Sequence, residues 1–333
     1  MKKYNVAILG ATGAVGQEMM KILLERNFPI KELRLLASAK SVGKKVMFGD
    51  KEITVSEASD NAFEGVDIVL GAAENDISKR FAPAIKAAGA VYIDNSSAFR
   101  LDHDVPLIIP EINPEDASWH SGLIANPNCS TIIALMAISP IAKLSPIKTV
   151  VASTYQAVSG AGVAGIAELQ DQLKAIVNGG NIKSSAFSYQ IAYNLIPQIG
   201  SFKENGYTTE EMKMQNEGSK ILHAPEMKVS CTCVRVPVIR SHSISLVVTT
   251  QSPVSPEEAS AAIAKAKGCK LVDDPANALY PMPLDTSDQD LVYVGRIRRD
   301  LTSENGLNLW CCGDQIRKGA ATNAVQIAEL LIK

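Results

Sequence analysis

The sequence predicts an α/β protein of two domains: an N-terminal doubly wound parallel sheet, then an α+β domain whose sheet is mostly antiparallel. Three observations predict it. At 333 residues the chain is long enough to fill two separate cores. Up to about Asn126, short unbroken apolar runs alternate with amphipathic stretches, as in βαβ units whose strands are covered on both faces. After Thr149 the texture changes to longer runs with period-two patterning, as in strands that bury one face.

Taken in order, Asn5-Val6-Ala7-Ile8-Leu9 reads as a buried strand. Gly10-Ala11-Thr12-Gly13-Ala14-Val15-Gly16 reads as a tight turn, and Val15 to Arg26 as a helix with Met19, Met20, Leu23 and Leu24 on one side. Strand, glycine turn and helix in that order form a Rossmann-type dinucleotide-binding opening. Glycines let the backbone approach a pyrophosphate, and the helix N-terminus receives its charge. Gly10, Thr12, Gly13, Ala14 and Val15 are therefore candidate cofactor contacts. The second strand, Leu33 to Ala37, ends where an NAD-binding protein usually carries an acidic residue for the ribose 2′-hydroxyl. Here Ser38-Ala39-Lys40-Ser41 stands instead. Two hydroxyls and a cation make a phosphate pocket, so Ser38, Lys40 and Ser41 favour NADP over NAD.

The alternation continues with strand Asp67 to Ala72, helix Ile77 to Ala88, and strands Val91 to Asp94, Leu107 to Ile109 and Gly122 to Ala125. In the second half, strands are expected over Lys228 to Val238, Ser243 to Thr250, Leu291 to Ile297 and Leu307 to Cys312. They surround helices over Gly165 to Val177, Thr209 to Leu222 and Pro256 to Lys267. The division expected is a dinucleotide-binding domain over 1–128 and a second domain over 129–315, with a last helix, 316–333, packing back on the first.

Composition narrows the function classes. With 46% hydrophobic and 20% charged residues and a net charge of −2, the chain reads as a soluble globular protein with no basic excess for nucleic acid or a membrane surface. Met1-Lys2-Lys3 precedes an apolar stretch, but the glycines at 10, 13 and 16 interrupt it before a signal-peptide core develops, so a cytoplasmic location is expected. The six cysteines, at 129, 231, 233, 269, 311 and 312, form no C-x-x-C pair. That spacing argues against a zinc site or a disulfide framework, and no metal is expected.

One cysteine stands apart. In Asn126-Pro127-Asn128-Cys129-Ser130-Thr131 a turn separates an apolar strand from an apolar helix over Ser130 to Ile141, which sets Cys129 at a strand-to-helix junction. Helix N–H groups and the positive end of the helix dipole favour a thiolate there and could receive an oxyanion. Of the four histidines, His103 lies between two aspartates, His120 follows Trp119 in a loop, and His223 ends a helix. His242, in Arg235-Val-Pro-Val-Ile-Arg240-Ser-His242, falls at a turn between strands and is the candidate proton donor and acceptor.

Six segments together carry a resemblance: GATGAVG at 10–16, DNSSAFR at 94–100, NPNCST at 126–131, TYQAVSGAG at 154–162, RVPVIRSH at 235–242 and GDQIRKGAATNAVQIAE at 313–329. End to end and in order, the chain resembles bacterial aspartate-β-semialdehyde dehydrogenases. The resemblance implies that Cys129 is the acylated nucleophile and His242 the acid/base, with Gln156 orienting the thioester. It implies that Arg235 grips the substrate carboxylate and Glu211 its ammonium, and that Arg100, Lys213 and Asn128 hold the phosphate. Ser159, Gly160 and Gln315 would line the nicotinamide side, and the enzyme would be a homodimer through its second domain, acting on a small molecule. Thr208-x-x-Glu211 also reads as a helix capping box, which gives Glu211 a purely structural alternative. Ala73-Glu74-Asn75 departs from the small, Gly-rich turn the family commonly has near the cofactor. The rival within the same chemistry is N-acetyl-γ-glutamyl-phosphate reductase, and the rival outside it is a cofactor-binding relative without catalysis.

Overall fold

A computed structural model of the protein describes residues 2–332. The chain divides into two compact units, Met1–Asn128 with Ala320–Lys333, and Cys129–Gly319.

The first unit is built on β1 (Tyr4–Leu9), β2 (Ile30–Ala37), β3 (Lys45–Phe48), β4 (Lys51–Thr54), β5 (Ser56–Glu57), β6 (Ile68–Gly71), β7 (Val91–Asp94) and β8 (Leu123–Ala125). Six of these form one sheet in the order β5-β2-β1-β6-β7-β8, every pair parallel, while β3 and β4 make a separate antiparallel hairpin. Strand order reverses direction between β1 and β6, the point where doubly wound sheets open a crevice for ligands. Side chains alternate across the sheet. Val6 and Ile8 join a core with Met19, Ile22 and Leu23 of α1 (Ala14–Glu25). Ala7 and Leu9 join a second core on the other face, with Phe81 and Ile85 of α2 (Asn75–Ala87). Burial on both faces is why these strands read as unbroken apolar runs. The C-terminal helix, Thr322–Leu331, adds Ala324, Val325 and Ala328 to the α1 core, and Arg26 of this unit pairs with its Glu329 at 2.6 Å.

Two expectations for this unit differ from the structure. Leu107 to Ile109 makes a single parallel bridge, Leu107 to Ala125, rather than a strand. The Asn113 side chain takes the backbone bonds a strand partner would have made, accepting from Ile109 N at 2.9 Å and donating to Leu107 O at 2.9 Å. The expected last helix starts late: Arg317–Ala321 is a π-helical turn, and the α-helix begins at Thr322. Lys333, which that expectation included, lies outside the described residues.

The second unit opens with α3 (Cys129–Ala142), buried all round from Ser130 to Ile141. A helix apolar on every side belongs in a core, and each fully buried Ile, Leu or Met contributes about 1.5–3 kcal/mol. Then follow β9 (Ile147–Gln156), α4 (Gly162–Val177), α5 (Thr209–Ile221), β10 (Lys228–Arg235), β11 (His242–Thr250), α6 (Pro256–Lys265), β12 (Cys269–Leu271), α7 (Pro283–Thr286), β13 (Val292–Arg299) and β14 (Gly306–Gly313). The sheet runs β10-β9-β11-β14-β13-β12, antiparallel at β9/β11, β11/β14 and β13/β14 and parallel at β9/β10 and β12/β13. The sequence expectation omitted β9, which lies between β10 and β11. No helix among the described residues is long and apolar enough to cross a membrane.

Candidate active site

Strand register assembles the site. Arg235, at the end of β10, is the register partner of Gln156, at the end of β9. His242 begins β11, antiparallel to β9, so its first residue lies beside the last residues of β9. Three strands thus bring Gln156, Arg235 and His242 to one end of the sheet. Cys129 is the first residue of α3, and its Sγ lies 3.4 Å from His242 Nε2. Gly319, in the π-helical turn, faces the cysteine closely enough that a Cβ there would come within 3.0 Å of the Cys129 Cβ. The sequence placed Cys129 just outside the helix; the structure makes it the opening residue, half-exposed where the helix N–H groups converge.

The histidine is held in one form. His242 is fully buried, and its Nδ1 accepts the Ala157 N–H at 3.1 Å. A nitrogen that accepts carries no proton, so the neutral ring presents its N–H from Nε2, toward sulfur. Burial, then the neighbouring Arg235 charge, pulls its pKa down to about 3 against a smaller opposing pull from Glu210. In this structure the ring is therefore neutral, and its Nε2, the candidate proton donor and acceptor, is directed at the Cys129 sulfur. Gln156 Nε2, 3.4 Å from the same Nε2, is also a donor. That approach is packing, and the amide donates to Glu210 Oε1 at 3.2 Å while its oxygen accepts from Thr154 Oγ1 at 2.9 Å.

Charge in the site comes from Arg235 and Glu210. Arg235 is buried, donates from Nη1 to Ala157 O at 2.7 Å, and approaches the Phe187 ring at 5.9 Å. Glu210 is buried and pairs with Lys213 Nζ at 2.8 Å. Glu211, the carboxylate expected to meet an ammonium, is spent elsewhere. Its Oε2 accepts Thr208 N at 2.6 Å, its Oε1 accepts Cys233 N at 2.9 Å, and its own N–H bonds Thr208 Oγ1. The capping box claims the third helical position and turns its neighbour, Glu210, toward Gln156. Glu210 is the residue sequence reasoning missed, and the capping box was the signal that could have found it.

The other expected residues divide by unit. Gln315 donates to Ser159 Oγ and accepts Ser241 N at 2.8 Å, so it ties Ser159 to the residue preceding His242. Ser241 holds a left-handed φ of 74°, a conformation costly for a residue with a Cβ and typical of backbone re-aimed at a site. Gly160 lies where a Cβ would come within 2.7 Å of Arg235 Nη1 and 3.3 Å of His242 Cε1. In the first unit, Arg100 is buried and donates to Asn126 O at 2.9 Å and Asn95 O at 2.7 Å, and Asn128 is also buried. His103 and His223 are exposed, and His120 accepts the Gly122 N–H at 3.1 Å.

The cofactor turn fits a dinucleotide. Gly10 has φ 88°, and a Cβ there would come within 2.4 Å of Ala72 O at the end of β6. At Gly16 a Cβ would meet Gly10 O at 2.4 Å. Both positions admit only glycine, which gives the tight strand-to-helix turn that a pyrophosphate site requires. Gly13 caps α1, whose first residues are Ala14 and Val15. Thr12 Oγ1 lies 3.4 Å from the buried Ser41 hydroxyl, with Ser38 and Lys40 exposed on the same short 3₁₀ turn. Glu74 is exposed at the start of α2.

Three of the other cysteines are held toward the neutral thiol. The bond to Cys231, then burial, raises the Cys233 pKa; burial raises Cys311 well above its usual value and Cys312 to about 11. Cys231 and Cys233 share one strand face with sulfurs 3.7 Å apart.

Comparison with known proteins decides the family. Residues 5–120 match the semialdehyde dehydrogenase NAD binding domain and residues 138–318 the semialdehyde dehydrogenase dimerisation domain. The aspartate-semialdehyde dehydrogenase of Aquifex aeolicus is 52% identical over 334 residues, covering 99% of this chain and 98% of the relative. The chain belongs to the aspartate-semialdehyde dehydrogenase family. Another member, from Synechocystis, is 50% identical over 329 residues, covering 99% of this chain and 97% of that one. Among solved structures, aspartate semialdehyde dehydrogenase II of Vibrio cholerae, crystallised in complex with ASA, superposes with a TM-score of 0.97 at 45% identity, covering 100% of this chain and 99% of that chain. Members of this family are oxidoreductases of amino-acid biosynthesis with a Rossmann NAD(P)-binding domain, and this chain has both the domain and the fold.

Proposed function

We propose that this protein is an NADP-dependent aspartate-semialdehyde dehydrogenase, reversibly converting 4-phospho-L-aspartate to L-aspartate 4-semialdehyde and phosphate through a thioacyl intermediate on Cys129. It would serve lysine, diaminopimelate, threonine and methionine biosynthesis in the cytoplasm as a homodimer, the last supported by the dimerisation-domain match. The observation that carries the reading is the Cys129 sulfur 3.4 Å from a buried, neutral His242 N–H, in a cluster that also holds one guanidinium and one carboxylate.

In the biosynthetic direction the Cys129 thiolate attacks the acyl phosphate carbonyl. Helix N–H groups and His242 Nε2–H donate to the oxyanion that forms, and such donors are worth about 10²- to 10³-fold each. Collapse breaks the C–O bond and expels phosphate, which takes its proton from water. A dinucleotide held by Gly10 to Val15 would supply the hydride that reduces the thioester, and the alkoxide so formed would expel the Cys129 thiolate to give the aldehyde. No step requires His242 to change protonation state, which suits a ring whose Nδ1 is occupied. Arg235 would hold the substrate carboxylate by its fork of donors, and Glu210, in place of Glu211, the ammonium. Lys213, paired with Glu210, and Arg100 and Asn128 of the first unit remain the proposed phosphate contacts. Gly10 to Val15 would receive the pyrophosphate, Ser38, Lys40 and Ser41 the 2′-phosphate, and Ser159, Gly160 and Gln315 the nicotinamide side.

Oxidation of aspartate semialdehyde, followed by dinucleotide reduction, tests the reading. Turnover should require phosphate and should be faster with NADP than with NAD. Better turnover of N-acetylglutamate semialdehyde, whose acylated amine needs no carboxylate, would hand the assignment to that reductase.

A further inference from the structure

From Asn178 to Thr208 the second unit runs without a helix or strand, apart from isolated bridges at Ile196–Arg235 and Phe202–Thr208. Unstructured stretches of that length inside a compact domain are uncommon and usually functional. Two buried side chains on one face of α4 hold it. Glu168 Oε2 accepts Ser185 N at 2.6 Å, Ser185 Oγ at 3.0 Å and the Ala186 N–H. Burial alone would raise the Glu168 pKa, but these backbone bonds outweigh it and the group is lowered, a carboxylate held charged by the loop it fixes. One turn on, Gln172 Oε1 accepts Ile191 N and Ala192 N, each at 2.9 Å, and its Nε2 donates to Lys183 O at 2.9 Å.

Between these two anchors lies Phe187. Its ring rests on Gly165, where a Cβ would come within 3.1 Å of the ring Cζ, and its face is 5.9 Å from the Arg235 guanidinium carbon. Ile196, just beyond the second anchor, exchanges both backbone bonds with Arg235, at 2.8 and 3.0 Å. A cavity of about 180 Å³ opens on this side of Arg235, lined by Phe187, Ser188, Ile196 and Gln198 among others. The loop therefore meets Arg235 through two backbone bonds and through the Phe187 ring, over which the guanidinium carbon lies.

We propose that Phe187, clamped by Glu168 and Gln172, is a positioning residue that sets the plane of the Arg235 guanidinium and with it the affinity for the substrate carboxylate. The proposal rests on Arg235 being the carboxylate partner. Bidentate recognition needs both donors in the plane of the acid, and an aromatic face supports a planar cation where an aliphatic one does not. A side chain that merely filled the small core of Val158, Leu169, Ile191 and Ile196 would be replaceable by leucine.

The test compares Phe187→Leu, Phe187→Tyr and Glu168→Gln with the unaltered enzyme. Phe187→Leu and Glu168→Gln should raise KM for aspartate semialdehyde about 3- to 30-fold, the range of a cation–aromatic contact between a buried guanidinium and a partly buried ring. kcat and the KM for phosphate and for NADP should stay within about twofold, and Phe187→Tyr should behave as unaltered. Calorimetric binding of L-aspartate, an unreactive probe with the same carboxylate and ammonium, should weaken in parallel, and this reads the proposal even if turnover of the semialdehyde is absent and the functional reading fails. Unchanged aspartate binding in Phe187→Leu, or an equal rise in all three KM values, would overturn it. Should Glu168→Gln fail to fold, the leucine and tyrosine variants decide alone.

Discussion

The two units prepare for ligand in opposite ways. The glycine turn after β1 is closed so tightly that two positions have no room for a side chain, since a Cβ at Gly10 or Gly16 would strike backbone at 2.4 Å. At the β9, β10 and β11 ends of the second unit, side chains fill the site and lock one another. Gln156 bonds Thr154 and Glu210, Arg235 bonds Ala157 O, and the Ala157 N–H fixes His242. A tightly packed glycine turn tolerates no additions at Gly10 or Gly16; a packed polar cluster tolerates no deletions, because each loss leaves a buried partner unsatisfied. The predictions below probe that contrast, from the largest effect to the smallest.

Removing the fixed donor should do the most damage short of removing the nucleophile. His242→Ala should lower kcat by about 10²- to 10³-fold with dinucleotide binding unchanged, measured by steady-state kinetics and by cofactor titration. A loss at His103 with none at His242 would place the donor elsewhere.

The adjacent glutamates separate catalysis from capping. Glu210→Gln should lower kcat/KM for aspartate semialdehyde by about 10- to 100-fold, the cost of losing a charged partner for an ammonium. Glu211→Gln should keep most activity and lower Tm, because it disturbs only the cap and the Cys233 bond. The reverse pattern would restore Glu211 to the substrate.

Acid stability gives a third distinction. The folded His242 pKa of about 3 lies below the usual 6.5, so the unfolded chain binds the extra proton between those values. This contribution is complete above about pH 6.5 and is lost as pH falls toward 3, at up to about 1.4 kcal/mol per pH unit. Chemical denaturation across that range should show a shallower slope in His242→Asn; equal slopes would mean that the ring titrates alike in both states.

The smallest effect belongs to the exposed edge of the proposed cofactor site. Lys40→Ala should weaken NADP by about 1 kcal/mol and leave NAD unchanged, since Lys40 is exposed and screened. Equal losses would remove Lys40 from the 2′-phosphate.

The same contrast explains what the sequence revealed. The glycine turn is contiguous and its geometry local, so the strand, turn and helix of residues 5–26 were legible from spacing. Cys129 was legible for the same reason, lying at a junction of two apolar runs. The rest of the second site joins residues 156, 210, 235 and 242 through the register of β9 with β10 and β11, and no local pattern encodes register. Only the resemblance pointed to Gln156 and Arg235, and it led to Glu211, whose carboxylate the fold bonds to Thr208 N and Cys233 N, while Glu210 bonds Gln156. The Ala157 N–H that sets the His242 tautomer belongs to the backbone and leaves no trace in residue type. Strand β9 went unread although its buried positions alternate, because Ser153 and Thr154 break the apolar signal.

The covalent role of Cys129 is tested most directly by trapping the intermediate. Incubated with aspartate semialdehyde and NADP in the absence of phosphate, the protein should accumulate one aspartyl thioester, located by peptide mass spectrometry on the segment containing Cys129. Phosphate should discharge it, and Cys129→Ala should form none. Turnover with no adduct on Cys129, or an adduct that phosphate leaves in place, would contradict the account.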